Sequence, residues 1–191
     1  MSKTPSTMLE IGTQAPDFSL PEPLTSQIVN LSDYQDCPLL VVFSCNHCPY
    51  VLHMLKSFSV YASEIQKLGL AIVMINANDV ENYADDSPQN MVRLAHQYGF
   101  EFPYLYDESQ QVAIAYEAAC TPDFFLFDAR HRLVYRGQYD ASRPGNDEAV
   151  TGADLRAASQ ALLNDDKITD QQLPSVGCNI KWRAGNEPQF C

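Results

Sequence analysis

The chain has 191 residues, of which 46% are hydrophobic and 19% are charged, a composition typical of one globular domain with a modest extension. It carries 12 basic and 24 acidic residues, and therefore a formal net charge of -12 at pH 7. A field of that sign repels phosphate backbones and anionic lipids, so it argues against nucleic acid and membrane surfaces as partners.

The first ten residues hold one lysine and no apolar stretch, so they do not resemble a secretory signal. No apolar run reaches the roughly 18 residues that a membrane-spanning helix needs. These two observations predict a cytoplasmic protein, in which thiols stay reduced. A close pair among the cysteines then indicates redox chemistry or metal binding more than a structural disulfide.

Two apolar runs and the segment between them predict a βαβ unit. Residues 38–43 (PLLVVF) predict a buried central strand, because they are continuously apolar and rich in β-branched side chains. Apolar residues then recur at three- and four-residue steps, which predicts a helix that ends at Gly69. Residues 70–75 (LAIVMI) predict a second buried strand, parallel to the first.

The rest of the chain completes an α/β pattern. The other predicted elements are strands at 18–20 and 27–31, a helix at 88–98, a strand at 102–106, a helix at 109–119, a β-hairpin at 123–127 and 133–136, and a helix at 154–163. This order predicts a central mixed β-sheet with helices on both faces. We expect a domain over residues 1–163 and a C-terminal tail over residues 164–191 that packs on or near it.

The segment Cys45-Asn46-His47-Cys48-Pro49 lies between the end of the buried strand and the start of the helix. A helix N-terminus carries about half a positive charge and free N–H groups, which lower the pKa of a thiol placed there. We expect Cys45, nearest the strand, to be the exposed nucleophilic thiolate and Cys48 to be the shielded thiol that resolves a mixed disulfide. A protonated His47 would stabilise the Cys45 thiolate further.

A metal site is the alternative interpretation of the same segment, with Cys45, Cys48 and His47 as ligands. A zinc site needs further ligands, and the sequence contains no second Cys-x-x-Cys and no His-x-x-x-His. The sequence therefore favours redox chemistry that needs neither a metal nor an organic cofactor.

Three segments carry a resemblance to a known family: residues 43–51 (FSCNHCPYV), 120–128 (CTPDFFLFD) and 175–182 (SVGCNIKW). Together with residues 15–18 (APDF), they resemble the peroxiredoxin-like branch of the AhpC/TSA thioredoxin-like superfamily that carries a thioredoxin-type Cys-x-x-Cys motif. The resemblance covers nearly the whole chain. It implies a thioredoxin fold with the N-terminal strand extension and the extra helix of AhpC/TSA proteins.

The resemblance also implies an activity and a substrate-binding position. Thr121-Pro122 matches the cis-proline site of thioredoxins, which would place the Thr121 backbone beside the sulfurs, ready to pair with an extended substrate. The implied reaction is thiol–disulfide exchange on protein or small-molecule disulfides, with a cellular thiol reductant as partner.

A thiol-dependent, antioxidant peroxidase is the second activity that the resemblance leaves open. Peroxiredoxins use a Pro-x-x-x-Thr-x-x-Cys loop and an arginine. If Cys48 takes the peroxidatic position, Cys45 and Val41 occupy the Thr and Pro positions, and Pro122 stands where the arginine is expected. The residues that activate a hydroperoxide are therefore missing from the pattern, and we expect this activity to be secondary.

Two further cysteines are candidates for additional redox roles. Cys178 lies in the tail and could fold back onto the pair, and Cys120 directly precedes Thr121. Packing as a small hydrophobic residue is the more common role of such cysteines.

Acidic residues receive no catalytic role from the sequence. Residues 79–86 (DVENYADD) do not have the spacing of a calcium-binding loop, and we interpret them as a solvated loop. The strand at 38–43 contains no acid, so His47 or water is the candidate proton acceptor of Cys48.

Overall fold

The computed structural model describes residues 3–190. Its elements in chain order are β1 (Lys3–Pro5), β2 (Ser19–Glu22), β3 (Gln27–Asn30), β4 (Leu39–Phe43), α1 (Pro49–Gln66), β5 (Ala71–Asn76), α2 (Pro88–Tyr98), β6 (Tyr104–Tyr106), α3 (Gln111–Ala115), β7 (Cys120–Thr121), β8 (Asp123–Phe127), β9 (Leu133–Gly137), α4 (Ala153–Leu163) and β10 (Val176–Asn179). None of the helices in this stretch is long and apolar enough to cross a membrane.

The central sheet has five strands in the order β6-β5-β4-β8-β9. β4 pairs parallel with β5 and β5 pairs parallel with β6, whereas β8 pairs antiparallel with both β4 and β9. This mixed sheet, with helices on both of its faces, confirms the predicted α/β thioredoxin fold. β2 and β3 form a separate two-stranded antiparallel sheet.

The middle strand is apolar without alternation because both of its faces are covered. Leu40 and Val42 belong to the core that α1, α2 and α4 cover. Val41 and Phe43 belong to the core on the opposite face, to which α3 contributes. A strand buried on both faces has no solvent side that polar residues could occupy.

Helix α1 presents one apolar face to the sheet and begins at the Cys45–Cys48 segment. Its buried residues are Val51, Met54, Leu55, Phe58, Tyr61, Ala62 and Ile65, which follow the predicted three- and four-residue spacing. The helix begins at Pro49, as the missing N–H of proline allows in a first turn. Cys48 is therefore the residue that directly precedes the helix.

The sequence pattern misses a second, smaller sheet. β10 pairs antiparallel with β1 along one edge and with β7 along the other, so that Cys178 lies opposite both Lys3 and Thr121. Both outer strands are short, and β1 contains a proline, so neither gives a periodic signal. The division between a domain at 1–163 and a tail at 164–191 stays a prediction, and residue 191 lies outside the described residues.

Gly177 allows β10 to approach β7 closely. A Cβ atom at this position would lie 1.9 Å from the carbonyl oxygen of Thr121. That oxygen belongs to the backbone, so it cannot swing aside as the end of a flexible side chain could. Glycine at 177 is therefore a condition for the pairing of these two strands.

Substitution of Gly177 by alanine should loosen β10. Overpacking of this kind costs about 1–3 kcal/mol, which corresponds to roughly tenfold faster amide exchange for each 1.4 kcal/mol. Hydrogen exchange measured over residues 176–180 reports it. Gly185→Ala is the control: its added methyl group meets no atom within 4 Å, so the backbone strain at its φ of +90° arises outside residues 176–180. Equal exchange over residues 176–180 in both variants would contradict the steric argument.

Candidate functional site

The two cysteines of the motif differ in their position relative to the helix. Cys45 follows the end of β4 after one residue, whereas Cys48 is the N-cap residue of α1. The free backbone N–H groups of a helix lie in its first turn, directly after the N-cap. The electrostatic advantage of the helix N-terminus therefore goes to Cys48.

Both sulfurs lie beside Thr121 and away from solvent. Cys48 Sγ, as a thiol, donates to the Thr121 carbonyl oxygen at 3.1 Å, and Cys45 Sγ lies 3.3 Å from Thr121 Oγ1. The exposed fraction is 1% for Cys45 and 0% for Cys48. The cysteines of the described chain, this pair included, are reduced in the structure.

The surroundings of Cys48 favour its thiolate. A hydrogen bond from the Cys45 thiol has the largest effect, and together with the Cys178 thiol and the backbone N–H groups of Val51 and Cys178 it lowers the pKa of Cys48 to about 5. Burial opposes this shift but does not outweigh the donors. These donors favour the Cys48 thiolate, whereas the Thr121 carbonyl oxygen, 3.1 Å from its Sγ, can accept a hydrogen bond only from the protonated thiol.

The surroundings of Cys45 favour its protonated thiol. Burial raises the pKa of Cys45 well above its ordinary value, and the hydrogen bond to Cys48 and the negative charge of Asp86 act in the same direction. Cys45 is 1% exposed, so the prediction of an exposed sulfur is wrong, and burial together with its neighbours disfavours the Cys45 thiolate. Cys45 precedes the helix by several residues, so it gains no N–H from the first turn and instead gives a hydrogen bond to Cys48.

Asp86 is a buried carboxylate that the sequence analysis assigns to a solvated loop. It is 0% exposed, and its Oδ1 accepts the backbone N–H of Asn46 at 2.7 Å. Its Oδ2 accepts from Asn78 Nδ2 at 2.7 Å and lies 2.7 Å from His47 Nδ1. The solvated-loop interpretation is wrong for Asp79 as well, which is 3% exposed.

His47 therefore has a different neighbour from the one expected. Its ring nitrogen faces the Asp86 carboxylate, so a positive charge on His47 pairs with Asp86. Its ring also stacks on Tyr83 with the centroids 6.0 Å apart. The charges that raise the pKa of Cys45 are those of Asp86 and Cys48.

The Thr121–Pro122 peptide bond is cis, as the resemblance implies. Thr121 also lies beside the sulfurs, but its backbone edge is already occupied. β10 pairs with it, with Cys178 opposite Thr121 and Asn179 opposite Cys120. In this structure the predicted substrate-binding edge holds a strand of the chain itself.

The structure brings one of the two additional cysteines to the pair. The Cys178 thiol hydrogen-bonds to the Cys48 sulfur, and burial together with that contact raises the pKa of Cys178 to about 12. Cys120 is also buried, but its thiol donates to the carbonyl of Pro122 at 3.5 Å. Burial and the nearby Asp123 raise the pKa of Cys120 well above its ordinary value.

Asp123 is a second buried acid that no motif in the sequence marks as part of the site. It lies opposite Phe43 at the end of β4 and is 0% exposed. Burial raises its pKa to about 7, although hydrogen bonds from Ser6 and the Ala119 backbone act against the shift. The signal available in the sequence was one acidic residue at the head of an otherwise apolar strand, DFFLF.

The donor atoms of Cys45, His47 and Asp86 all lie within 4.8 Å of one another. The metal hypothesis names Cys48 instead of Asp86, and Cys48 is not part of this group. The Asp86 oxygens already accept hydrogen bonds from Asn46 and Asn78. Metal binding stays a prediction from the sequence.

Comparison with known proteins gives a family match and a named relative that is similar over about two thirds of this chain. A model of the AhpC/TSA family matches residues 11–136. Thiol-disulfide oxidoreductase ResA from Geobacillus thermodenitrificans (strain NG80-2) is 28% identical over 134 residues, which are 68% of this chain and 70% of that protein.

Solved structures extend the similarity over the tail. An uncharacterized conserved protein from Geobacillus kaustophilus is 46% identical with a TM-score of 0.94, over 96% of this chain and 97% of that chain. A hypothetical protein from Sinorhizobium meliloti 1021 is also 46% identical, with a TM-score of 0.93 over 95% of this chain and 100% of that chain. The shared fold thus reaches beyond the residues that the family model matches.

Asp123 should make stability depend on pH. Because its folded pKa of about 7 exceeds the ordinary 3.8, the folded chain keeps a proton that the unfolded chain releases between those values. The free energy of unfolding should therefore fall as pH rises through this window, by about 1.4 kcal/mol per unit from this group, and level off above it.

Urea unfolding of Asp123→Asn and of the wild type between pH 4 and pH 8 measures this contribution. The variant lacks the titrating group, so its stability should rise relative to wild type as pH increases. Asp170→Asn, at an exposed position, is the control and should follow the wild-type profile. Parallel profiles for wild type and Asp123→Asn would show that Asp123 titrates normally in the folded chain.

Proposed function

This chain belongs to the AhpC/TSA family, and from that membership we propose that it is a thiol–disulfide oxidoreductase whose redox couple is Cys45 and Cys48. The observation that carries the proposal is the position of the two sulfurs, which lie at the N-terminus of α1 and both contact Thr121. A relative named thiol-disulfide oxidoreductase supports the same reaction class.

The proposed reaction begins at Cys48, because the attacking species is a thiolate. Cys48 Sγ attacks one sulfur of a substrate disulfide, that S–S bond breaks, and the other substrate sulfur leaves and takes up a proton. Cys45 then loses its proton and attacks Cys48 Sγ. The second substrate thiol leaves, a Cys45–Cys48 disulfide remains, and two electrons have passed to the substrate.

The Cys45 proton changes its role during this cycle. Before the attack it is shared with Cys48 and stabilises the thiolate. Once Cys48 is bonded to a substrate sulfur, Cys48 carries no charge, and two of the causes that raise the pKa of Cys45 are lost. Cys45 thereby becomes a better nucleophile at the stage at which it resolves the mixed disulfide.

A substrate can react only if it reaches the buried sulfurs of Cys45 and Cys48. Both sulfurs are buried, and β10 covers the backbone edge of Thr121. A protein or small-molecule disulfide can therefore reach Cys48 only when β10 moves away from it. A cellular thiol would return the couple to the dithiol state, which suits a cytoplasmic setting.

Thiol peroxidase activity is the second candidate, and the Cys48 thiolate favours it. In that interpretation Cys45 replaces the threonine of peroxiredoxins as a hydrogen-bond donor to the reacting sulfur. Pro122 stands where those enzymes use an arginine, and it has no charge to offer the developing oxyanion. We therefore place peroxide reduction after disulfide exchange.

Reduction of oxidised glutathione or insulin by the reduced full-length chain tests the proposed function. Cys48→Ser should fall to the uncatalysed rate because the thiolate is lost, and Cys45→Ser should lose roughly tenfold or more in turnover for want of the resolving sulfur. Cys37→Ser, whose thiol contacts the carbonyls of Pro38 and Gly69, should retain wild-type turnover.

The outcome is decisive in either direction. Wild-type turnover in Cys48→Ser would remove Cys48 from the reaction. Loss of activity in Cys45→Ser with retention in Cys48→Ser would reverse the order of attack. Absence of turnover in the wild type with both substrates would reject the proposed function.

A further inference from the structure

β10 places a third thiol against the redox pair. Its register sets Cys178 opposite Thr121, the residue whose carbonyl and hydroxyl oxygens contact the sulfurs of Cys48 and Cys45. The Cys178 thiol hydrogen-bonds to the Cys48 sulfur, and the Cys178 backbone N–H also supports the Cys48 thiolate. Cys178 is therefore one of the residues that contact Cys48 directly.

Hydrogen bonds on both sides of Cys178 hold the strand in this register. Before it, Ser175 Oγ donates to the Pro122 carbonyl at 2.6 Å. After it, the N–H of Ile180 donates to the Ala119 carbonyl at 3.1 Å, and the N–H of Lys181 donates to Asn78 Oδ1 at 2.9 Å. The contact between the two cysteines is therefore part of a built interface and does not depend on one side-chain rotamer.

We propose that Cys178 is a third redox-active thiol, which exchanges with the Cys45–Cys48 disulfide to give a Cys48–Cys178 disulfide. The inference rests on the proposed function, because it starts from the oxidised pair. Cys178 loses its proton and attacks Cys48 Sγ, the Cys45–Cys48 bond breaks, and Cys45 leaves and takes up a proton. One disulfide is exchanged for another, so no external oxidant or reductant is consumed.

The charges around Cys178 make this step depend on the redox state. In the dithiol state the Cys48 thiolate keeps Cys178 protonated, and there is no Cys45–Cys48 disulfide for the Cys178 sulfur to attack. Oxidation of the pair removes the Cys48 charge. The Lys181 ammonium then remains as a neighbouring charge that favours the Cys178 thiolate. Lys181 is 7% exposed, and its Nζ donates to the Asn179 carbonyl at 3.0 Å.

The product of the exchange would close the site. A bond between Cys48 and Cys178 ties β10 to the Thr121 edge, where an extended substrate would otherwise pair. Cys45 is at the same time set free as a thiol. The oxidised protein therefore holds a state that excludes substrates until the Cys45 thiol attacks Cys48 Sγ and reverses the exchange.

Disulfide mapping of the full-length chain tests the proposal. Wild type and Cys45→Ser are oxidised with diamide, and the remaining free thiols are blocked with N-ethylmaleimide in acid. The proteins are then digested, and the disulfide-linked peptides are identified by mass spectrometry. We expect Cys48–Cys178 peptides in both proteins. In Cys45→Ser they should exceed any intermolecular Cys48 disulfide by roughly tenfold or more, because the two thiols are held in contact. Cys120→Ser is the matched control and should give the same map.

Three results would overturn the proposal. One is blocked Cys178 in both proteins. Another is a Cys48–Cys178 disulfide in Cys45→Ser but none in the wild type, which would show proximity without exchange. The third is loss of the Cys48–Cys178 peptide in Cys120→Ser. Disulfide mapping needs no substrate, so its result is independent of the turnover assay. Absence of the Cys48–Cys178 disulfide would reject the third redox-active thiol, whereas absence of turnover with glutathione or insulin would reject the proposed function.

Discussion

The hydrogen bond from the Cys45 thiol to the Cys48 sulfur is the interaction on which the site depends. It favours the proton on Cys45 and the negative charge on Cys48, the residue that caps α1. Burial alone would raise both pKa values. The thiol donors and first-turn N–H groups reverse that effect for Cys48, while no comparable set of donors serves Cys45.

Thr121 links this chemistry to the fold. Its side chain contacts Cys45, its carbonyl contacts Cys48, and its backbone edge pairs with β10. The strand can approach so closely only because residue 177 is glycine. Thr121 and β10 consequently connect the redox pair to the third thiol. A substitution in one of these parts should therefore alter the contacts of the others.

Much of the central sheet could be predicted because its information is local. The apolar runs of β4 and β5 and the spacing in α1 each lie within one stretch of sequence, and the motif lies between two of them. The identity of the thiolate could not be predicted, because it depends on whether the helix begins a few residues earlier or later. Neither β10 nor the burial of Asp86 has a local signal, since both arise from contacts between distant segments.

The ionisation state of the individual cysteines tests the central claim most directly. The reduced chain, labelled with ¹³C at cysteine Cβ, can be titrated by NMR, with Cys45→Ser and Cys48→Ser used to assign the signals. Our account predicts that the Cys48 signal titrates with a midpoint near the pKa of about 5, while the Cys45 signal stays that of a thiol through neutral pH. A Cys45 signal that titrates first would contradict it.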